Sequence, residues 1–192
     1  MRLVLATRNA HKAREFAALM SPHSIEALPA HVELPPETGE TFAENALEKA
    51  RAAAKQLGCA AIADDSGIAA EALGGAPGVR SARYAGEHAT DQQNLEKLMR
   101  EAPAGSRLAY VCALAYVGTD ADGNPVEHVV EERCEGTLSA EARGSGGFGY
   151  DPAFVPEEHP ERTMAELEPE EKAAISHRGK AARALLTWLP PA

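Results

Sequence analysis

The stretch Arg2-Leu3-Val4-Leu5-Ala6, followed directly by Thr7-Arg8-Asn9-Ala10-His11-Lys12, sets the reading of this chain. A short apolar run predicts a buried strand, and the residues after it lead through a polar loop into a helical pattern ending near Met20. A strand feeding a helix in this way is the opening of an α/β fold. The loop brings a hydroxyl, an amide and the Lys12 ammonium to a helix N-terminus, where free backbone N–H groups and the helix dipole favour anions. Thr7, Arg8, Asn9, Ala10, His11 and Lys12 are therefore candidate phosphate-binding residues. The loop has neither the glycines of a dinucleotide fingerprint nor those of a Walker loop.

Working outward, the pattern stays mixed α/β with no internal repeat. Residues 41 to 57 predict the clearest helix: Thr41 and Glu44 form a capping box, alanines and leucines recur at helical spacing, and Gly58 ends it. Asn45 and Lys49 share one face of that helix. A strand from Cys59 to Ala63 is expected to deliver Asp64-Asp65-Ser66-Gly67 at its C-terminal end, the edge where ligands of α/β sheets collect. Thr90 and Gln93 cap a helix to about Arg100. Leu108 to Val117 and Val126 to Cys134 read as an antiparallel hairpin around Asp122-Gly123. Pro169 opens a short helix, and Ser176 caps a last one that runs to Trp188 and stops before Pro190.

Composition limits the partners. The 192 residues are 44% hydrophobic and 25% charged, enough for one domain over 1–192 with a sizeable core, and no apolar run reaches membrane-spanning length. The apolar run after Arg2 is too short for a secretory leader, so a cytoplasmic address is expected. Cys59, Cys112 and Cys134 are odd in number and widely spaced, which fits neither a disulfide framework nor a zinc site. A net charge of −10 argues against nucleic acid and membrane surfaces as partners. An anionic ligand must then meet local cations or a metal.

Three later segments supply the rest of a site. Asp64-Asp65-Ser66-Gly67 reads either as a hydrogen-bonded turn or as a place for Mg²⁺, which is held by one or two carboxylates plus substrate phosphates. Glu37, in a proline-stiffened loop before the capped helix, is the candidate second carboxylate, with Glu40 as its substitute. The run Gly144-Ser145-Gly146-Gly147-Phe148-Gly149-Tyr150-Asp151-Pro152 embeds two aromatics in glycines, suited either to a tight turn or to stacking on a nucleobase. Lys172 and the Ser176-His177-Arg178 segment gather donors near a helix start.

Taken in order, Thr7 to Lys12, Glu37-Thr38-Gly39, Thr41-Phe42-Ala43-Glu44-Asn45-Ala46, Asp64 to Gly67, Gly74-Gly75-Ala76-Pro77-Gly78, Ser81-Ala82-Arg83-Tyr84, Gly146 to Pro152 and Ser176-His177-Arg178 resemble the non-canonical purine nucleoside triphosphate pyrophosphatase family, the inosine/xanthosine triphosphate pyrophosphatases. The resemblance covers essentially the whole chain. It implies a long central mixed β-sheet flanked by helices, two lobes with an active-site cleft between them, a homodimer, and Mg²⁺-dependent conversion of ITP, dITP or XTP to the monophosphate and pyrophosphate.

By position, the resemblance places the triphosphate loop on Thr7 to Lys12, the metal carboxylates on Glu37 and Asp65, and the general base also on Asp65. Ser66 then contacts the nucleotide, and Lys49 is the phosphate lysine within the capped helix. Phe148, Gly149, Tyr150 and Asp151 form the base platform, while Lys172, His177 and Arg178 read the base. Arg8 departs from the glycine frequent in the family; a backbone needing positive φ would be strained there, and the side chain would otherwise add a phosphate contact or face solvent. Alternative readings are a related-fold pyrophosphatase acting on pyrimidine or modified nucleotides, a non-catalytic nucleotide sensor, and a structural protein.

Overall fold

The computed structural model describes residues 1–120 and 122–190; residues 121, 191 and 192 of the expected 1–192 domain lie outside the described residues. Its elements are β1 (Arg2–Leu5), α1 (Ala10–Leu19), β2 (Ser24–Ala27), α2 (Phe42–Leu57), β3 (Ala61–Ala70), α3 (Asp91–Glu101), β4 (Arg107–Thr119), β5 (Pro125–Leu138), β6 (Phe154–Pro156), α4 (Pro169–Ile175) and α5 (His177–Trp188). The strands form one mixed sheet in the order β2-β1-β3-β4-β5-β6. β1 is parallel to β2 and β3, and β6 is antiparallel to β5.

Local chemistry accounts for most boundaries. The capping boxes Thr41–Glu44 and Thr90–Gln93 form as the sequence predicts, Gly58 closes α2 in the left-handed conformation, and Pro169 occupies the first turn of α4. Ser176 lies in extended backbone between α4 and α5, its N–H donating to the Lys172 carbonyl at 2.9 Å. One expectation is corrected. The strand predicted for Cys59 to Ala63 runs instead from Ala61 to Ala70, so Asp64-Asp65-Ser66-Gly67 is strand interior and not a turn at a strand end. The edge that does end there is that of β1, whose last pairing is Leu5 with Ile62. The β3 carboxylates therefore stand just past the C-terminal end of β1, alongside the chain leaving it.

The chain divides into two units, Met1–Asp65 with Cys112–Glu132 and Arg178–Ala192, and Ser66–Val111 with Arg133–His177. In the first, strand alternation sorts side chains onto two faces. Leu3, Leu5, Ile62, Cys112, Leu114 and Tyr116 pack with Phe16 and Met20 at α1 and with Ala181, Ala182 and Leu185 of α5. Val4, Ala6, Ala61, Ala63, Ala113 and Ala115 pack with Ala46, Ala50 and Ala53 of α2. This second seam is built almost wholly of alanine, and such small side chains let the α2 backbone lie close to the sheet. The second unit has its own core, in which Ile68, Leu95, Leu98, Leu108, Tyr110 and Phe154 are buried together.

Ala50 is fully buried in the alanine seam. Ala50→Leu should overpack it and destabilise the fold by about 1–3 kcal/mol, lowering the melting midpoint by about 2–4 °C for each kcal/mol. A thermal melt at wild-type level would show that the seam has slack.

Candidate active site

Asp64 and Asp65 are neighbours in β3, so their side chains leave opposite faces of the sheet. Both are buried, Asp64 completely. An ionised carboxylate can persist there only with charged or hydrogen-bonding partners, and each face supplies its own. On the α1/α5 face, Lys12 Nζ lies 2.8 Å and Arg178 Nε 3.6 Å from Asp64 Oδ2. On the α2 face, Asn45 Nδ2 donates to Asp65 Oδ2 at 2.9 Å, and Lys49 Nζ lies 3.9 Å from Asp65 Oδ1. Lys49 also donates to Glu37 Oε1 in a short contact. Asn45 and Lys49 reach the carboxylate because they sit one turn apart on the alanine face of α2.

The two aspartates differ electrostatically. Burial alone would raise the Asp64 pKa, but Lys12, Arg178 and Lys49 outweigh it and hold the group down to about 2. Asp65 moves the other way: burial raises its pKa, the Glu37 charge adds to the rise, and Lys49 only partly opposes it. Burial likewise works against a charged Lys49, yet Asp64, Glu37 and Asp65 together keep its pKa above the ordinary lysine value. Glu37 and Asp65 both meet Lys49, and together they offer carboxylate oxygens of the kind that hold Mg²⁺. No group of three or more His, Cys, Asp or Glu residues arranged for a metal occurs among the described residues. Glu40 is exposed, and its N–H donates to the Glu44 carboxylate; Glu37 is the one brought to Lys49.

The phosphate loop departs from expectation in two respects. The N–H groups of His11 and Lys12 are not free, because Asn9 Oδ1 accepts them at 2.9 and 3.2 Å as the N-cap of α1. Arg8 does not strain the loop, and its exposed side chain is engaged with backbone carbonyls. No described non-glycine residue has a positive φ, and the guanidinium donates to the carbonyls of Leu28, Pro29, Ala30 and Val32 at 2.7–3.2 Å. Arg8 therefore ties the loop after β1 to the segment that follows β2. Ala10 opens α1, and Thr7 Oγ1 accepts from the Asn9 N–H at 3.2 Å.

In the second unit, the glycine segment is organised around Asp151, which is buried. Its carboxylate accepts from Tyr110 Oη at 3.0 Å, the Phe148 N–H at 2.9 Å and Lys172 Nζ at 2.9 Å. Gly147 adopts φ +71°, and a Cβ there would fall 2.0 Å from Asp151 Oδ2, so the wrap closes only around glycine. Phe148 stays half-buried with the Lys172 ammonium 5.3 Å from its ring centroid. The Gly149 N–H donates to Asp91. Tyr150 is core: its ring is buried and its hydroxyl donates to the Ser81 carbonyl at 2.7 Å. His177 is buried with its ring stacked on Tyr110, centroids 4.5 Å apart. Ser66, half-buried, begins this unit in β3.

The structure thus gathers Lys12, Lys49, Glu37, Asp65 and Arg178 into one unit, and Phe148, Gly149, Tyr150, Asp151, Lys172, His177 and Ser66 into the other. Sequence reasoning assigned no role to Asn45, Glu15 or Tyr110. Asn45 had a signal, a polar residue on an alanine face. Glu15 had none, since it accepts from Arg178 across 163 residues of chain. The depressed Asp64 pKa has a consequence for stability. The group's unfolded value is about 3.9, so its contribution is complete above that value and is lost as pH falls toward about 2. Denaturant titrations in metal-free buffer should show stability falling over this range, and Asp64→Asn should flatten that part of the slope; an unchanged slope would assign the acid sensitivity elsewhere.

Comparison with known proteins agrees with this architecture. The family model described as the Ham1 family matches residues 3–188. A dITP/XTP pyrophosphatase from Salmonella typhimurium (strain LT2) is 52% identical, with 98% of each chain covered. One from Geobacillus kaustophilus is 50% identical over 93% of this chain and 89% of its own. Among solved structures, a HAM1 protein from Coxiella burnetii superposes with a TM-score of 0.84 at 42% identity, covering 98% of both chains. A nucleoside-triphosphatase/dITP/XTP pyrophosphatase from Mycobacterium abscessus gives a TM-score of 0.71 at 43% identity over the full length of both. With the family model and its relatives matched along nearly its entire length, this chain belongs to the Ham1 family.

Proposed function

We propose that this protein hydrolyses non-canonical purine nucleoside triphosphates, ITP, dITP and XTP, to the monophosphate and pyrophosphate, and so clears them from the nucleotide pool. The observation that carries the reading is the pair of buried carboxylates on β3, each with its own cations or donors: Asp64 with Lys12 and Arg178, Asp65 with Lys49 and the Asn45 amide. Attack of water on the α-phosphorus breaks the bond to a pyrophosphate leaving group that gathers negative charge. Lys12 and Lys49 stabilise that charge as it develops. Asp65, whose pKa is raised by burial, orients the water and accepts its proton. Glu37 and Asp65 would hold Mg²⁺, which neutralises phosphate charge and lowers the pKa of bound water.

The second set of groups suits the base. Phe148 offers a half-buried ring with a cation beside it, which fits stacking on a purine. Hypoxanthine and xanthine present a 6-keto acceptor where adenine presents an amino donor. Donors such as Lys172 and His177, with Arg178 of the other unit given the same role by the family resemblance, therefore favour the former, and donors left unpaired by adenine give strong discrimination. A second reading exists for Arg178, because its guanidinium lies on Asp64 and Glu15, beside Lys12. In that reading it serves the phosphate side. The same proposal makes the protein a cytoplasmic homodimer without nucleic-acid or membrane partners; no described helix is long and apolar enough to cross a membrane.

Pyrophosphate release measured across ITP, dITP, XTP, ATP and GTP should favour the first three and stop on Mg²⁺ chelation. Asp65→Asn should abolish it while the protein stays folded; wild-type turnover in that variant would remove Asp65 from the chemistry. Arg178→Ala should lower kcat/KM for ITP by about tenfold or more and for ATP by less. An unchanged ITP to ATP ratio would move Arg178 to the phosphate side.

A further inference from the structure

The loop carrying Glu37 and the strand carrying Asp65 meet one side chain in common. Asn45 is 1% exposed and both ends of its amide are engaged: Oδ1 accepts from the Gly39 N–H at 2.8 Å, and Nδ2 donates to Asp65 Oδ2 at 2.9 Å. The neighbouring Glu44 also holds this loop, accepting from the Glu40 and Thr41 N–H groups at 2.8 and 3.1 Å. Glu44 does so as the reciprocal half of the helix cap. Asn45 does more, because its other end fixes the rotation of the Asp65 carboxylate. With Oδ2 held by the amide, Oδ1 is the oxygen turned toward Lys49, which in turn donates to Glu37. The contact at the loop is tight. A Cβ on Gly39 would fall 2.8 Å from Asn45 Oδ1 and 2.9 Å from Glu44 Cβ, so only glycine lets the loop N–H approach the amide at this distance.

We propose that Asn45 is a positioning residue that locks the Glu37–Gly39 loop to Asp65, setting the two carboxylates against each other through one amide group. The inference rests on the reading of Glu37 and Asp65 as the centre of the site. Its physical content is that the loop and the carboxylate orientation are a single mechanical unit. A disturbance at Gly39, which touches neither phosphate cation, should then be felt at Asp65.

Four variants test this with two readouts, steady-state pyrophosphate release from ITP with Mg²⁺ and hydrogen exchange of the 37–40 backbone by mass spectrometry without substrate or metal. Asn45→Ala removes both bonds. It should lower kcat about tenfold or more with KM changed by less than about threefold, and should speed exchange at 37–40. Asn45→Asp retains an acceptor for Gly39 but sets carboxylate against carboxylate, so kcat should fall while exchange stays slow. Gly39→Ala leaves Asn45 in place but displaces it; kcat should fall and exchange should rise. Asp65→Asn is the control. Loss of activity there with wild-type kcat in folded Asn45→Ala or Gly39→Ala overturns the coupling alone, as does unaltered exchange in both. Full activity in Asp65→Asn overturns the underlying site reading instead. Should Asn45→Ala fail to fold, Asn45→Asp and Gly39→Ala decide between the same outcomes.

Discussion

Two carboxyl side chains in consecutive positions of a buried strand are the constraint around which this molecule is arranged. Alternation sends them to opposite faces, so each needs its own contacting partners, even though the Lys49 charge is felt by both. Each helix layer must bring its own cation or donor to the strand: α2 brings Asn45 and Lys49, the start of α1 brings Lys12, and α5 brings Arg178. Removing one partner from such a buried set leaves a charge without compensation, which is far costlier than the set itself is stabilising. The helices flanking β3 are therefore positioned by electrostatics as well as by apolar burial. The alanine seam shows the two requirements meeting in one element, since the face that lets α2 approach the sheet is also the face that carries its polar pair.

Much of this was legible in the sequence, and the limits were physical. The β1-to-α1 passage, the capping boxes at Thr41 and Thr90, the closing Gly58 and the Pro169 start are local signals, and they folded as read. Asp64 to Gly67 misled because a run of two carboxylates, a hydroxyl and a glycine has the composition of a turn. What makes it strand interior lies at residues 12, 45, 49 and 178, too far along the chain for local pattern to report. Arg8 was open for a similar reason, because its four carbonyl acceptors belong to the segment after β2.

The glycine segment illustrates the middle ground. Its conformational demand was visible, and Gly147 meets it beside Asp151. Which aromatic was structural was not visible. Tyr150 and Phe148 are two residues apart and alike in composition, yet one hydroxyl has a buried carbonyl to meet and the other ring has no polar end to satisfy. Burial followed that difference.

The resting ion pairs have a kinetic meaning. Lys12 on Asp64 and Lys49 on Glu37 and Asp65 are cations already occupied by internal anions. Any incoming anion competes with carboxylates tethered at high effective concentration, and it gains only the difference between the new pairing and the old. A singly placed phosphate gains little from that exchange. A chain of phosphates that reaches several cations at once gains much more. On the proposed function, the same internal carboxylates would reclaim their lysines once the phosphate chain is cut, so the protein would carry its own displacing ligand, and product clearance would be built into the charge pattern of the site.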